Sequence, residues 1–419
     1  MFLLFCFIEL CGGILLKNIT LQNGIEIHEF YGMDKEKSYI ISYQNRNWKV
    51  SEFVADVIRI LQHNTSPEEL TVRLSEKYNL TQIDDAILHT TDFLEKNGLL
   101  KGLDVMPPKT NRHIWGRVTL LSAPIVCKIK IFKILFCKPF LRIFSILLLI
   151  WVVFATTTSS AAKLSEQIIQ LPLQQILFCY GIMLIIGILH ELGHASALMY
   201  FGEKPGRIGF AFYVVSFILF SDVTNAWKLA RKERVIVDYG GIYFQCIFSA
   251  ILYIVNSLWI HNYLLEIVAL GEAIFVLGNF NPFLKYDGYW MLSDILGTTD
   301  VIGSVSVFWK KMFRKRKQTY ELQQTPTKFK LVIVGYTIGA TIYIIYFTSF
   351  IFNAVTNSMF LIYSDLNIAL SSGIEVSIIG AIHYIVRRFS AFMTLFLVGR
   401  LFIKGLINIF RLCMKGMGK

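Results

Sequence analysis

Residues 176–194 read ILFCYGIMLIIGILHELGH, a long apolar run that ends in a metal-binding pattern. A helix of about 20 apolar residues spans a bilayer, so the run predicts a transmembrane segment. Residues four apart share a face of a helix, and His190 and His194 can therefore point at one metal ion. Glu191 stands beside them and can activate a water held by that ion. The stretch predicts hydrolytic metal chemistry within a membrane or at its edge.

The composition of the whole chain also indicates a membrane protein. Hydrophobic residues make up 54% of the 419 residues, charged residues make up 17%, and the mean hydropathy is +0.54. This is too apolar for an ordinary soluble protein of this length. The net charge of +12 is concentrated in basic clusters beside apolar segments, for example at 310–317. Such clusters are typical of cytoplasmic loops, so we expect a lipid bilayer and no nucleic acid as a partner.

Six apolar segments predict a mostly α-helical, polytopic membrane protein. They lie at 143–160, 174–196, 235–258, 262–284, 331–352 and 390–410. The stretch 353–389 is interpreted as a re-entrant or amphipathic segment. With a cytoplasmic amino terminus, the second segment returns to the cytoplasmic side and carries the histidines there. The basic stretches 204–234 and 310–317 then also lie in the cytoplasm, in agreement with the positive-inside rule.

A catalytic zinc ion usually takes three protein ligands and leaves a fourth position for water. The best third ligand is Asp287, in the stretch NFNPFLKYDGYW at 279–290, at the end of the fourth predicted segment. The predicted depth of Asp287 in the membrane matches that of the two histidines. An acidic residue at such a depth usually has a charged partner or a function. Pro282 and Gly288 would break the helix and let Asp287 turn inward. We expect one zinc ion per chain.

The two motifs together resemble the site-2 protease family of intramembrane zinc metallopeptidases. The shared elements are HELGH and N-x-x-P-x-x-x-x-D-G, about 90 residues apart on two apolar segments. The stretch FNPFLKYDGYWMLSD is most similar to a bacterial branch that matures peptides and is described as peptide zinc metalloproteases. The resemblance implies that His190, His194 and Asp287 bind zinc and that Glu191 is the general base.

The resemblance also bears on the substrate side of the site. The family's asparagine and first proline fall on Asn279 and Pro282, while Leu284 and Tyr286 depart from the usual proline and leucine. These departures do not alter the predicted zinc ligands. They affect the part of the motif that is expected to form the substrate groove. We expect Asn279 or Asn281 to hold the substrate backbone or the oxyanion. Pro282 and Gly288 complete this group of candidate substrate-binding residues.

Residues 208–220 read IGFAFYVVSFILF and are rich in aromatic and β-branched residues. The stretch is short for a membrane segment, and we interpret it as a membrane-dipping hairpin or sheet edge near the site. An extended substrate could pair with it, because proteolysis needs an extended strand. A short packed strand without a substrate role is an equally good interpretation.

Residues 21–103 are polar and mixed in charge, and they predict a small soluble domain. Strand-like stretches come first, and three amphipathic helices follow, the second opened by a capping box at 66–69. The predicted strands are 38–43 and 48–50, the helices begin at Glu52, Ser66 and Thr81, and a wing strand begins at Leu99. The pattern predicts a winged-helix-like α+β module.

This module resembles the PqqD-like domain, the recognition element that holds leader peptides of ribosomally made natural products. The resemblance rests on the patterns of Val57–Leu61, Ser66–Tyr78 and Phe93–Leu100. It implies a leader peptide bound by residues 21–103 as an extra strand at the sheet edge, beside the third helix. A generic small helical domain that regulates or tethers is the alternative.

The remaining segments complete the predicted organisation. Residues 1–20 form an apolar lead segment of uncertain structure, 104–142 a basic linker and juxtamembrane segment, and 143–412 the metallopeptidase domain. The protein is expected in the cytoplasmic membrane of a bacterium, with its amino-terminal domain in the cytoplasm.

Three functions remain open from the sequence. The first is a zinc endopeptidase that matures or clears a small ribosomal peptide, in company with a neighbouring exporter. The second is a site-2 protease that releases a membrane-tethered regulator, with a membrane protein as its substrate. The third is a non-catalytic exporter or immunity protein that binds the peptide without cutting it. Only the third tolerates the loss of the Glu191 carboxylate.

Overall fold

The computed structural model describes most of residues 20–372. The gaps are 32–36, 45, 64–66, 79–82, 102–113, 160–162, 165–166, 168–170, 214–215 and 314–326. The predicted segment 390–410, the lead segment up to residue 19 and the predicted helix starts at Ser66 and Thr81 lie outside the described residues. The chain divides into two compact units. One comprises Met1–Trp151, Ile186–Phe248 and Val276–Phe329, and the other Val152–Ile185, Ser249–Phe275 and Lys330–Lys419.

The amino-terminal domain, described here from residue 20 to 101, is a three-stranded antiparallel meander followed by three helices. The elements are β1 (Glu26–Tyr31), β2 (Lys37–Tyr43), β3 (Arg46–Ser51), α1 (Glu52–Gln62), α2 (Pro67–Lys77) and α3 (Ile83–Lys96). The sheet order is β1-β2-β3. Sequence patterns did not predict β1, and in place of a wing strand Leu100 forms an isolated bridge with Leu21.

The core of this domain lies between the sheet and the three helices. Its fully buried residues include Ile41 from β2, Val57 and Ile58 from α1, and Leu94 from α3. The helical spacing of the apolar residues in α1 places them on the face that meets the sheet. Burial of such aliphatic side chains stabilises a fold by about 1.5–3 kcal/mol each.

A buried carboxylate ties α1 to the end of α2. Asp56, 9% exposed, accepts hydrogen bonds from Lys77 Nζ at 2.6 Å and from the Tyr78 hydroxyl at 2.7 Å. Arg59 Nη1 donates to its other oxygen at 3.0 Å. Burial alone would raise the pKa of Asp56, but these donors outweigh burial and hold the pKa below its ordinary value. The carboxylate in turn helps raise the pKa of Tyr78 to about 12, an effect that adds to that of burial.

Replacing Asp56 by Asn is expected to destabilise the amino-terminal domain at pH 7 by about 1–3 kcal/mol, because three donors lose a charged acceptor. Since the folded-state pKa is lowered, the stabilisation is present above the unfolded-state pKa and is lost as pH falls through the folded-state pKa. The free energy of opening of α1–α3 is measured by hydrogen exchange in the full-length protein. Asp92→Asn is the control, because the Asp92–Lys96 pair is exposed and worth about 0.5 kcal/mol or less. Equal effects of the two substitutions would contradict the assignment.

A second antiparallel sheet has the order β4-β5-β6 and is built from β4 (Ile114–Leu121), β5 (Ile208–Tyr213) and β6 (Ser216–Ser221). The last two strands form a hairpin in the stretch where a hairpin or sheet edge was expected. The strand β4 lies within the stretch 104–142, which was interpreted as a basic linker and juxtamembrane segment without a strand. It pairs with β5 through an irregular register around Gly116, whose φ is +61°. Because the partner strand is so distant in the sequence, the residues of β4 alone give little indication that they form a strand.

The rest of the described chain is helical. After a short helix α4 (Ala123–Lys128) and a 3₁₀ turn come α5 (Lys138–Thr158), α6 (Leu173–Tyr200), α7 (Arg231–Val255), α8 (Tyr263–Asn279), α9 (Asp287–Leu296), α10 (Val301–Phe313) and α11 (Thr327–Ser372). A 3₁₀ turn over Thr224–Lys228 precedes α7, and a π turn over Asn256–Ile260 extends it. The chain is mostly helical, as predicted.

Within the described residues, four helices are long and apolar enough to cross a membrane. They are Lys138–Thr158, Leu173–Tyr200, Arg231–Ile260 and Lys330–Ser364, and α9 with α10, bent by 57°, makes a fifth if counted as one span. These candidate spans indicate an integral membrane protein. The predicted span 262–284 is shorter than expected, because α8 ends at Asn279. The predicted break after residue 352 is absent, because α11 continues to Ser372.

Candidate metal centre

The structure brings three of the predicted residues together in one buried cluster. His190 and His194 lie one turn apart on α6, and Asp287 is the first residue of α9. Their side chains offer ligand atoms that all lie within 4.8 Å of one another. His194 is buried, and the other two side chains are largely so. We refer to His190, His194 and Asp287 as the metal centre, because together they form a candidate site for one metal ion.

The separations within the metal centre fit a zinc ion. The two histidine Nε2 atoms are 3.2 Å apart, Asp287 Oδ2 is 3.1 Å from His190 Nε2, and Asp287 Oδ1 is 3.6 Å from His194 Nε2. A tetrahedral zinc ion with bonds of about 2.0–2.1 Å requires ligand atoms about 3.3 Å apart. Two neutral imidazoles and one carboxylate are also ligands that zinc accepts in catalytic sites. His190, His194 and Asp287 would thus supply three ligands and would leave a fourth position for water.

The outer nitrogens of both histidines are held by α7. His194 Nδ1 donates to the Val237 carbonyl at 2.8 Å, and this places the lone pair of Nε2 toward the ligand cluster. His190 Nδ1 lies 3.2 Å from Gln245 Oε1, which also accepts from Asn279 Nδ2 at 2.9 Å. Such partners fix the tautomer and orientation of metal-binding histidines. Asn279 therefore acts on His190 through Gln245.

Glycines allow α7 to approach the histidine helix closely. A side chain on Gly241 would meet Nε2 of both His190 and His194. One residue earlier, a Cβ on Gly240 would lie 2.7 Å from the Gly193 carbonyl oxygen. The backbones of α6 and α7 are therefore in contact at these glycines, directly over the metal centre.

The loop before α9 turns Asp287 toward the histidines. Asn281 Oδ1 accepts a hydrogen bond from the backbone N–H of Phe283 at 2.9 Å, an Asx turn that follows the end of α8. A Cβ on Gly288 would overlap the backbone of Phe280, so only glycine permits this return of the chain. Asn281 and Gly288, with Pro282 between them, thus build the turn. A role of these residues in binding substrate stays a prediction.

Glu191 lies between the metal centre and the second sheet. Its carboxylate accepts a hydrogen bond from the backbone N–H of Ser221, the last residue of β6. One turn earlier on α6, a Cβ on Gly187 would lie 2.6 Å from Leu219 of the same strand. The hairpin β5–β6 therefore packs directly against the helix that carries the HELGH motif.

Sequence reasoning missed Gln245, Val237 and Gly241, all on α7. A signal was present, because Arg234, Asp238, Gly241 and Gln245 recur at spacings of four, three and four in an apolar segment. Polar residues at helical spacing inside a membrane segment face the protein interior. That pattern marks the face of α7 that meets the metal centre.

A comparison with curated proteins finds a distant and partial similarity. Over 119 residues this chain is 30% identical to a protein of Bacillus subtilis (strain 168) named "Putative peptide zinc metalloprotease protein YydH". The matched region covers 28% of this chain and 46% of that protein, so the chain spans less than half the length of this relative. No family model matches the chain, and no solved structure gives a significant match. The chain is thus distantly similar to a protein named as a peptide zinc metalloprotease.

Replacing Gly241 by Ala is expected to lower zinc occupancy well below one ion per chain, because the added methyl group occupies the space before both histidine nitrogens. Zinc content is measured by mass spectrometry of the purified protein in detergent. Gly181→Ala is the matched control, since its Cβ meets nothing within 4 Å on the same helix as the histidines. Full zinc occupancy in the Gly241→Ala protein would contradict the assigned position of the ion.

Replacing Gln245 by Ala is expected to weaken zinc binding about 10–100-fold, because His190 loses the partner that orients it. The affinity is measured by competition with a zinc chelator. Gln175→Ala, on the exposed surface of α6, should leave the affinity unchanged. An unchanged affinity in both variants would show that Gln245 does not orient the ligand.

Proposed function

We propose that this chain is a zinc-dependent endopeptidase of the membrane that processes a small ribosomally made peptide. The observation that carries the proposal is the buried cluster of His190, His194 and Asp287, with Glu191 beside it on an apolar helix. The distant similarity to a protein named as a peptide zinc metalloprotease points the same way. The proposed location is the cytoplasmic membrane of a bacterium.

The chemistry of peptide hydrolysis assigns separate tasks to the ion and to the chain. When bound, zinc supplies a Lewis acid that makes water nucleophilic near neutral pH. Glu191 takes a proton from the attacking water and delivers it to the leaving nitrogen, the role of a general acid and base. Its hydrogen bond with the Ser221 N–H holds the carboxylate in place beside the metal centre.

The edge of the second sheet offers a place for an extended substrate. In the sheet order β4-β5-β6, β6 is an outer strand, and it ends at Ser221 beside Glu191. A peptide that adds to this edge has its backbone hydrogen-bonded and extended, the form in which its amides are accessible to hydrolysis. This contact supports the proposal that substrates bind along β6 and reach the metal centre at its end.

The amino-terminal domain is anchored to the segment that follows β6. Glu26 pairs with Lys228 at 2.6 Å, and Asn47 Nδ2 donates to the Thr224 carbonyl at 3.1 Å. A peptide held by this domain is therefore close to residues 224–228, which follow β6 in the chain. This supports delivery of a leader-bearing peptide by residues 21–103. Release of the product to a neighbouring exporter is part of the proposal.

Replacing Glu191 by Gln is expected to lower the rate of peptide cleavage about 10²–10⁴-fold, because proton transfer is lost while the ligands remain. Cells that express the protein together with small open reading frames near its gene are compared by peptide mass spectrometry. A shortened peptide with the wild type only is the expected result. Its two new ends identify the bond.

Two controls make the comparison specific. The Glu191→Gln protein should retain zinc, whereas Asp287→Ala should lose both zinc and activity. Glu203→Gln, just past the end of α6, should cleave as the wild type does. An uncut peptide that co-purifies equally with wild type and Glu191→Gln would overturn catalysis in favour of a carrier or immunity role. Cleavage of a membrane-tethered regulator instead would identify a signalling protease.

A further inference from the structure

A basic and apolar surface lies at the start of the candidate span α5, away from the metal ligands. It comprises α4, the 3₁₀ turn Lys130–Phe136 and the first residues of α5, and we call residues 123–142 the basic surface. Its five exposed cations are Lys128, Lys130, Lys133, Lys138 and Arg142. The sequence contains no acidic residue between positions 105 and 165. The positive charge of this surface is therefore not offset by neighbours in the chain.

The cations of the basic surface also lack acidic partners from elsewhere in the described residues. The ion pairs of those residues lie in the amino-terminal domain, around Lys228, Arg234 and Lys285, and at the metal centre. A cluster of exposed cations of one sign attracts anions from its surroundings. The charge of the surface thus complements an anionic partner.

The 3₁₀ turn separates its charged residues from its apolar ones. In this type of helix residues three apart lie on the same side, so Lys130 and Lys133 share one side and Ile131 and Ile134 share the next. Ile131 is 75% exposed and Ile134 is 60% exposed. Exposed aliphatic side chains next to a row of lysines are typical of a segment that lies in the plane of a membrane surface.

The remaining side of the turn is fixed to α7. Phe132 packs edge-to-face on Phe244 with 5.8 Å between the ring centroids, and Phe136 stacks on the same ring at 5.6 Å. The Tyr243 hydroxyl donates to the Leu135 carbonyl at 3.1 Å. Because these contacts hold the inner side of the turn, its isoleucines and lysines are kept on the outside.

The apolar part of the basic surface leads into the exposed surface of α5. Phe140, Ile143 and Ile146 of α5 are 42%, 57% and 62% exposed, and this helix is long and apolar enough to cross a membrane. Lys138 and Arg142 lie one turn apart at its start. Long basic side chains at the end of a span keep their stems on apolar surface and extend their charges to the lipid headgroups. The cations of the basic surface are thus at headgroup level.

The exposed groups together select the class of anionic partner. A nucleic acid or an acidic peptide could pair with the lysines, but it would leave Ile131 and Ile134 in contact with water. An anionic phospholipid satisfies both sets of residues, because its phosphate attracts the lysines and its acyl chains cover the isoleucines.

We propose that the basic surface binds anionic phospholipids, with headgroup phosphates at Lys128, Lys130 and Lys133 and acyl chains against Ile131 and Ile134. The inference goes beyond the proposed peptidase function and does not depend on it. Lipid binding can be measured without any cleavage.

The probe is dioctanoyl-phosphatidylglycerol with a fluorescent label on one chain. It is titrated against the full-length protein in a neutral detergent, with protein-free detergent as the background, and fluorescence anisotropy is recorded. Unlabelled phosphatidylglycerol is expected to displace the probe at a concentration at least about tenfold lower than phosphatidylcholine does. This advantage should shrink as the salt concentration rises, because salt screens exposed charges.

A combined replacement of Lys128, Lys130 and Lys133 by Gln is expected to weaken binding of the probe at least about tenfold, because three cations near the phosphate are lost. The control replaces Lys101, Lys204 and Lys232 by Gln, which removes the same charge from exposed positions outside the basic surface. This control should bind the probe within about twofold of the wild type. Zinc content and retention on gel filtration verify that both variants are folded.

A second pair of variants tests the acyl contact. The replacements Ile131→Ser and Ile134→Ser together should weaken binding of the probe about fivefold or more while the preference for phosphatidylglycerol over phosphatidylcholine is kept. The control is Val72→Ser with Leu88→Ser, two exposed apolar residues of the amino-terminal domain, and it should bind as the wild type does.

Several results would overturn the inference. They are equal displacement by the two unlabelled lipids, an equal loss of binding in both lysine variants, and unchanged binding in the isoleucine variant. Displacement by inorganic phosphate as efficient as by phosphatidylglycerol would indicate a phosphate site in place of a lipid site. Equally efficient displacement by polyglutamate would indicate an acidic peptide as the partner. None of these results bears on cleavage, and a failure of wild-type protein to cleave peptides would leave lipid binding unaffected.

Discussion

The close approach of α6 and α7 is the constraint on which the site depends. Gly193 and Gly240 bring the two backbones into contact, and any side chain at either position would overlap the other helix. Backbone contact of this kind is how helices associate tightly in membranes, where lipid tails offer no hydrophobic drive for association. It brings the Val237 carbonyl within 2.8 Å of His194 and lets Gln245 reach His190. The orientation of the imidazoles is thus a consequence of helix packing.

The residues on one face of α7 have a different role at each turn of the helix. Gln245 lies against His190, Gly241 leaves room before the two histidine nitrogens, and Asp238 and Arg234 line a cavity of about 310 Å³. Buried charges in a membrane helix are costly unless they are paired, and Arg234 is paired with Asp294 on α9. The same ion pair fixes α9 against α7, which supports the position of Asp287 at the start of α9.

The local parts of this arrangement could be predicted from the sequence, and the non-local parts could not. His190 and His194 converge because of helical spacing alone, and matched depth was enough to select Asp287. By contrast, β4 owes its conformation to β5, whose paired residues lie between 87 positions (Leu121 to Ile208) and 99 positions (Ile114 to Tyr213) later in the chain. The short segment alone contains little signal for such pairing. The link from Asn279 through Gln245 to His190 depends on a helix crossing, which side-chain spacing within one helix does not determine.

The amino-terminal domain contacts residues that connect it to the helix of Asp287. Trp227 lines the same cavity as Arg234 and Asp238, and it lies against Phe30 of β1, with 6.3 Å between the ring centroids. Arg234 lies over both rings, so one guanidinium contacts the amino-terminal domain and, through Asp294, the helix that begins with Asp287. A shift of β1 would therefore move a wall of the cavity and an ion pair of α9 together. If a peptide binds the amino-terminal sheet and shifts β1, the contacts of Phe30 with Arg234 and of Arg234 with Asp294 connect that shift to the metal centre.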